Sequence, residues 1–141
     1  MANTRIGSHP SFNNEVVETI TEAKQLKPVD SGKLFIWDQG DYTVTLPKMS
    51  IEIAGWNITM TRRTHSNDDF IVSNHADDSA NNIYAIETKG TQATGTTAVS
   101  QFKAEDSDTA TGGTPAFIRI CTDGSYWYCL LDGPDNNHFH L

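Results

Sequence analysis

The sequence predicts an all-β fold, a single compact antiparallel β-sandwich or small barrel with an extended N-terminal arm. Short β-branched and aromatic runs recur along the 141 residues, separated by turns rich in Asn, Asp, Ser and Gly. Several runs alternate apolar and polar side chains, as expected of strands that bury one face. A chain of this length forms one domain. We therefore expect an arm over residues 1–15 and a single β domain over residues 16–141.

The first strong strand signals lie between residues 33 and 63. The runs KLFIW (33–37) and YTVTLP (42–47) flank DQGD, a connection of hairpin length that carries a glycine for positive φ. The next run, 55–63, alternates and places its apolar members on one face. These members are Trp56, Ile58 and Met60. Further strands are expected at 69–74, 82–89, 115–122 and 125–133.

Two segments are less regular. Residues 13–26 have apolar side chains at helical spacing, but VETIT within them is β-branched and alternates. A strand preceded by an extended arm is favoured over a helix. Residues 90–114 are rich in Gly, Thr and Ala, which predicts a long polar loop that encloses one short strand near 97–103.

The C-terminal hairpin allows a prediction about the two cysteines. A two-residue turn at Asp123-Gly124 pairs Cys129 with Ile118 and puts Cys121 and Cys129 on opposite faces. A three-residue turn puts them on one face but diagonally. Neither register brings the Cα atoms within the separation of about 4.4–6.8 Å that a disulfide requires. We expect two free thiols.

Both faces of this hairpin are substantially apolar. One face can belong to the core, and the other is a candidate subunit interface. The first face carries Ile118, Ile120, Trp127, Cys129 and Leu131. The subunit-interface candidates on the second face are Phe117, Tyr126, Tyr128 and Leu130.

The chain offers no convincing set of residues for catalysis, a metal or a cofactor. Gly32-Lys33 lacks the flanking glycine and hydroxyl residue of a phosphate-binding loop. The sequence offers no convincing histidine to act as a base for Ser31, and no nucleophile-elbow motif surrounds this serine. The paired aspartates at 68–69 and 77–78 and the C-terminal HFHL are best explained as polar turns and a polar tail. No cofactor is expected, and an enzyme is disfavoured.

Charge and hydropathy limit the partners further. A net charge of −8 with only one adjacent basic pair, Arg62-Arg63, argues against nucleic acid. No apolar run approaches the roughly 18 residues that span a membrane. The opening MANTRIGSHPSFNNE lacks the apolar stretch of a secretory signal, which predicts synthesis in the cytoplasm.

The order of several motifs resembles that of the small β-rich structural proteins of tailed bacteriophages. The segments are AKQLKPVDSGKLFIWDQGDYTVTLP, AGWNITM, DDFIVSN and IRICTDGSYWYCLLDG, which together span about residues 20 to 133. In that family a DSGK segment leads into a strand ending in Leu-Pro, a Gly-aromatic strand follows, and DGS-W precedes a last strand. The pattern occurs in capsid decoration (cement) proteins and in domains of tail or head fibres.

The resemblance implies a non-enzymatic virion protein on the capsid surface. Such a protein binds the outside of the major capsid protein shell and stabilises it, usually as a homotrimer. The capsid-contact candidates are Arg5, Ile6 and Phe12 in the arm, and secondarily Arg62 and Arg63. The alternative is a tail, baseplate or head-fibre component that binds host surface glycan, with Trp37 or Tyr84 stacking on sugar rings.

Overall fold

The computed structural model describes residues 16–38, 41–62, 70–79, 81–87, 97–104, 117–132 and 139–140. Within these residues the chain is all-β, as predicted, with two single-turn 3₁₀ helices, Pro28–Asp30 and Ile51–Ile53. The strands are β1 (Val17–Ile20), β2 (Lys24–Gln25), β3 (Leu34–Trp37), β4 (Tyr42–Thr45), β5 (Asn57–Arg62), β6 (Phe70–Ser73), β7 (Ile83–Glu87), β8 (Gln101–Ala104), β9 (Phe117–Thr122), β10 (Trp127–Asp132) and β11 (Phe139–His140).

The strands form two sheets, and both sheets are mixed. Sheet A has the order β1-β3-β5-β9-β10-β7, and sheet B has the order β11-β8-β6-β4-β2. The first nine strands belong alternately to sheet A and sheet B. Within sheet A, β1, β3 and β5 pair in parallel, and within sheet B, β2, β4 and β6 do the same. The expectation of antiparallel sheets is therefore wrong. Antiparallel pairs occur at β5-β9-β10 and at β6-β8-β11.

The connection DQGD does not close a hairpin. Strand β3 before it pairs with β1 and β5 in sheet A, whereas β4 after it pairs with β2 and β6 in sheet B. The connection therefore carries the chain from one sheet to the other. The hairpin prediction failed because a short polar turn with glycine can either join two paired strands of one sheet or lead from one sheet to the other. Gly40 itself lies outside the described residues.

One hydrophobic cluster contains the buried side chains of both sheets. Trp37 of sheet A packs against Phe70 of sheet B with ring centroids 4.8 Å apart. The predicted face of β5 is confirmed, because Trp56, Ile58 and Met60 are all buried. Alternation of apolar residues thus predicted which side chains enter the core, although it did not predict which strands pair.

The two irregular segments are also strand-forming where they are described. Part of 13–26 forms β1 and β2, which confirms the preference for a strand over a helix. The short strand expected near 97–103 is β8, anchored by fully buried Phe102. The arm, residues 1–15, lies outside the described residues, as does most of the predicted loop at 90–114.

The β9-β10 hairpin is confirmed, but its register is wrong by two residues. Cys129 pairs with Ile120 rather than Ile118, so residues 123–126 form a four-residue loop. Asp123 causes the longer loop, because its Oδ1 accepts the backbone N–H groups of both Ser125 and Tyr126 at 2.8 Å. A shift of two preserves the faces, and both cysteines are free, as predicted.

Candidate interaction face

The face of sheet A directed away from the core is the main candidate for function, and we call it the outer face. Its side chains align in rows because the register continues across all six strands. The longest row runs Val17, Leu34, Thr59, Arg119, Leu130, Ile86 from β1 to β7. A second row contains Thr19, Ile36, Thr61, Phe117 and Asp132, and a third contains Asn57, Cys121, Tyr128 and Tyr84.

The strands of the outer face carry four of the eight large hydrophobic side chains that are exposed in the described residues. Val17 is 55% exposed, Phe117 44%, Leu130 41% and Ile86 37%. These residues lie on four different strands. Exposed apolar side chains therefore recur across the face, with Thr59, Thr61 and Arg119 between them. Several large apolar side chains exposed on one face of a small protein indicate a binding partner.

The corresponding surface of sheet B is different. The residues of β4, β6 and β8 that point away from the core include Thr45, Ser73 and Gln101, which lie in one row. Thr43, Ile71 and Lys103 form the next row, with Ile71 as its apolar member. The two sheets thus bury similar core faces but present opposite outer surfaces, which makes sheet A the candidate for protein contact.

A tyrosine cluster occupies one corner of the outer face. Tyr84 stacks on Tyr128 with centroids 6.0 Å apart and an interplanar angle of 15°, and Tyr126 packs against Tyr84 at 5.2 Å. The Tyr128 hydroxyl donates to Asp123 Oδ2 at 2.9 Å. Backbone N–H groups of Tyr126 and Ser125 hold the pKa of Asp123 below its usual value, and the tyrosine hydroxyl adds to this effect. The cluster is an aromatic surface beside a carboxylate.

All four subunit-interface candidates lie at this face. Phe117, Tyr128 and Leu130 belong to its strands, and Tyr126, 40% exposed, stands at the hairpin loop beside them. Sequence reasoning missed the part contributed by β1, β3 and β7. The signal was present in LFIW and IYAIE, whose consecutive apolar or aromatic residues place such side chains on both faces of a strand, but without the strand order it did not indicate a shared face.

Four of the five capsid-contact candidates lie in parts of the chain that the structure does not describe. Arg5, Ile6, Phe12 and Arg63 lie outside the described residues, and Arg62 ends β5 in register with Trp37. Trp37 is only 3% exposed, so its suggested role in stacking on sugar is wrong. Burial of its indole against Phe70 is the physical reason. Tyr84 remains at the surface, in the tyrosine cluster.

The residues tested for chemistry have structural partners. Lys33 Nζ contacts Asp30 Oδ1 at 2.6 Å and Glu18 Oε2 at 3.0 Å. The Ser31 hydroxyl accepts the Asn57 N–H at 3.2 Å, and Asp78 accepts the Met49 N–H at 3.0 Å. No cluster of three metal-binding side chains occurs in the part of the chain that is described.

Lys33 belongs to a charged network at the β1 edge of the core. Lys24 pairs with Glu18, and both lysine ammonium groups lie 5.8 Å from the Phe35 ring centroid. The Lys24 hydrogen bond, followed by that from Lys33, lowers the pKa of Glu18. Burial pushes the pKa of Asp30 upward, but the Lys33 ammonium and the Lys27 N–H outweigh it and leave that pKa below its usual value. The network closes this end of the core with paired charges.

Each of the two 3₁₀ turns carries one strongly exposed apolar side chain. Val29 is 80% exposed and Ile51 is 73% exposed. Between the turns is an open cleft of about 320 Å³ whose lining includes exposed Glu52. The turns are tied together because Trp56 Nε1 donates to the Lys27 carbonyl at 3.2 Å. We call Val29, Ile51 and Glu52 the tip patch; nothing in the sequence pattern singled it out.

Comparison with known proteins does not assign the chain to a family. Protein-family models gave no match, and curated proteins gave none either. Among the described residues, no helix has the length and apolar character needed to cross a membrane.

Proposed function

We propose that the protein is a non-enzymatic structural protein of a tailed bacteriophage virion, a decoration protein that binds the outside of the major capsid protein shell. The observation that carries the proposal is the apolar outer face of sheet A, which gives a small acidic protein a surface for assembly. The motif resemblance supplies the virion context. In this proposal the two sheets pack as a sandwich, and residues 1–15 form an arm that extends from it.

The proposed mechanism combines self-association with attachment. Copies associate as a trimer through the outer face and so present three attachment segments to neighbouring capsid subunits. Each attachment is weak, but tethering raises the effective concentration of the second and third contacts. Arg5, Ile6 and Phe12 are the primary proposed contacts with the capsid, and Arg62 and Arg63 are secondary contacts. The assembled decoration layer then resists outward pressure on the shell.

Addition of the purified protein to shells that lack it tests the proposal. We expect saturable cosedimentation with the shells and a higher temperature of shell disruption. The double variant Arg5→Ala/Phe12→Ala is expected to bind more weakly while its own thermal unfolding is unchanged. Failure of the wild-type protein to bind any undecorated shell at micromolar concentrations would contradict the proposal.

A second candidate function is supported by the tyrosine cluster. Exposed aromatic rings beside a carboxylate can stack on sugar rings and accept a sugar hydroxyl, so the protein could instead serve in a tail, baseplate or head fibre that binds host glycan. A glycan array with the wild type and with Tyr84→Ala tests this. Specific signals that the variant loses would favour the fibre function. Equal, nonspecific signals would exclude this role for the cluster.

A further inference from the structure

An exposed arginine lies on the outer face, and an exposed glutamate lies in the tip patch. On the outer face, Arg119 occupies the fourth of six strands in the central row, between Thr59 and Leu130. It is exposed, and in the described part of the chain no carboxylate forms an ion pair with it. On the tip patch, exposed Glu52 stands beside Ile51 and is likewise without an ion pair there.

The position of Arg119 disfavours a contact of the outer face with itself. A two-fold contact sets the same patch against its own copy, so residues near its centre meet across the axis. Two guanidinium groups would then approach each other inside an apolar interface. The Asp123 carboxylate at the corner of the face already accepts the Tyr128 hydroxyl and two backbone N–H groups, and Asp132 ends β10 in the neighbouring row. Buried charge without a partner opposes association, so a partner that is apolar and brings its own carboxylate to Arg119 suits the face better than a second copy of the face.

The tip patch has those properties and belongs to the same chain. Val29 and Ile51 are the large apolar side chains most exposed in the described residues, and Glu52 supplies the carboxylate. The patch is also preorganised. Gly124 in the β9-β10 loop lies so close that a Cβ atom there would be 2.9 Å from Ile51 Cα. Little ordering is therefore required when the patch docks.

The outer face is large enough to receive it. Six strands at a spacing of about 4.8 Å make a face about 24 Å wide, and strands of up to six residues make it about 20 Å long. With side-chain relief, this approaches the roughly 600 Å² per partner at the lower end of specific protein interfaces. A chain with net charge −8 also repels its copies except where a cation meets a carboxylate.

We infer that the protein associates head to tail, with the Val29, Ile51 and Glu52 patch of one copy docked on the outer face of sheet A of the next and Glu52 paired with Arg119. The inference rests on the self-association in the proposed function and specifies its contact. A head-to-tail contact uses two different surfaces on each copy, so it closes as a ring or continues as a filament. A closed trimer is the form that agrees with the proposed function.

Charge reversal with rescue tests the contact by sedimentation velocity. Arg119→Glu and Glu52→Arg are each expected to raise the dissociation constant by about tenfold or more, because each sets like charges together in the interface. The double variant restores opposite charges and is expected to associate within about threefold of wild type. Glu22→Arg, which makes the same charge change at another exposed position, is the control and should associate at least as well as wild type.

Two results would overturn the inference. One is that Glu52→Arg behaves as Glu22→Arg does. The other is that Asp132→Arg restores the association of Arg119→Glu whereas Glu52→Arg does not. Asp132 lies on the outer face, in register with Phe117, so this result would indicate that the face contacts a second copy of itself. Shell binding measured with the same variants separates this inference from the proposed function. If the protein binds shells but the charge reversals neither weaken its association nor rescue each other, the proposed function stands and the head-to-tail contact is wrong.

Discussion

At residue scale, Gly124 connects the hairpin loop to the tip patch. Its φ is +91°, a conformation in which a side chain is strained, and a Cβ atom would also approach Ile51 Cα to 2.9 Å and the Ser50 carbonyl oxygen to 3.3 Å. Gly32 has a similar φ of +83° but open space around the Cβ position. A substitution at Gly32 therefore tests backbone strain alone, whereas one at Gly124 tests backbone strain together with steric overlap.

Alanine at the two glycines is expected to destabilise to different degrees. Gly124→Ala should lower the free energy of unfolding by about 2–3 kcal/mol, since strain and overlap add, and Gly32→Ala by about 1 kcal/mol, from strain alone. Urea unfolding at a protein concentration too low for association measures both. Equal losses would mean that the loop does not pack against Ile51 as described.

The charged network predicts how stability depends on pH. The pKa values of Asp30 and Glu18 lie below their ordinary values of 3.8 and 4.5, so the unfolded chain binds protons more readily than the folded one. Their stabilisation is complete above about pH 4.5 and is lost as pH falls through the lowered folded-state values. Asp30→Asn keeps an acceptor for the Lys27 N–H but removes the titrating charge. We expect it to be less stable at neutral pH and to lose less stability on acidification.

The matched control for this prediction is Asp77→Asn. Asp77 lies 3.6 Å from Lys48, but both side chains are well exposed. An exposed pair contributes little to stability. The control should therefore retain the wild-type pH profile in urea unfolding from about pH 6 to about pH 2.5. An Asp30→Asn profile as steep as that of wild type would contradict the role assigned to the network.

At the scale of the elements, β9 separates core from surface within one strand. Ile118 and Ile120 are buried, whereas Phe117 and Arg119 are exposed. The alternation results from the two-residue period of a strand, in which successive side chains point to opposite faces. This is why the sequence alone predicted the two faces of the hairpin even though it predicted the wrong loop length.

Substitution at neighbouring positions of β9 should give opposite phenotypes. Ile120→Ala is expected to cost about 2–5 kcal/mol of folding free energy, because it leaves a cavity in the core. Phe117→Ala is expected to lower the free energy of unfolding of the isolated chain by less than about 1 kcal/mol, because its side chain is 44% exposed and its removal leaves no cavity in the core. The same Phe117→Ala variant should associate more weakly. A large loss of stability in the dilute Phe117→Ala chain would contradict the assignment of the faces.

The sequence indicated element type and burial better than strand partners. Local alternation predicted the core face of β5 and both faces of β9 and β10. It could not reveal that β3 and β4 enter different sheets, since the polar DQGD connection suits a hairpin or a crossing. The same lack of strand order hid the outer face, because Val17, Leu34 and Ile86 become neighbours of the hairpin only through pairing along sheet A.

At the scale of the whole molecule, the chain alternates between two sheets that differ in their outer surfaces. The outer face of sheet A is apolar and aromatic, whereas the outward-pointing residues of β4, β6 and β8 are mostly polar. This asymmetry was not predictable from composition, which averages both surfaces. It gives the molecule one side for assembly and supports the proposal that it acts as a structural protein.

The central claim is that the molecule assembles through the outer face of sheet A, and sedimentation velocity over a range of micromolar concentrations tests it most directly. Leu130→Lys places a charge in the central row of that face, and Thr43→Lys places the same charge on sheet B. We predict that the wild type and Thr43→Lys sediment as the same oligomer and that Leu130→Lys sediments as a monomer with unchanged circular dichroism. A monomeric wild type, or a Leu130→Lys variant that associates as the wild type does, would contradict the claim.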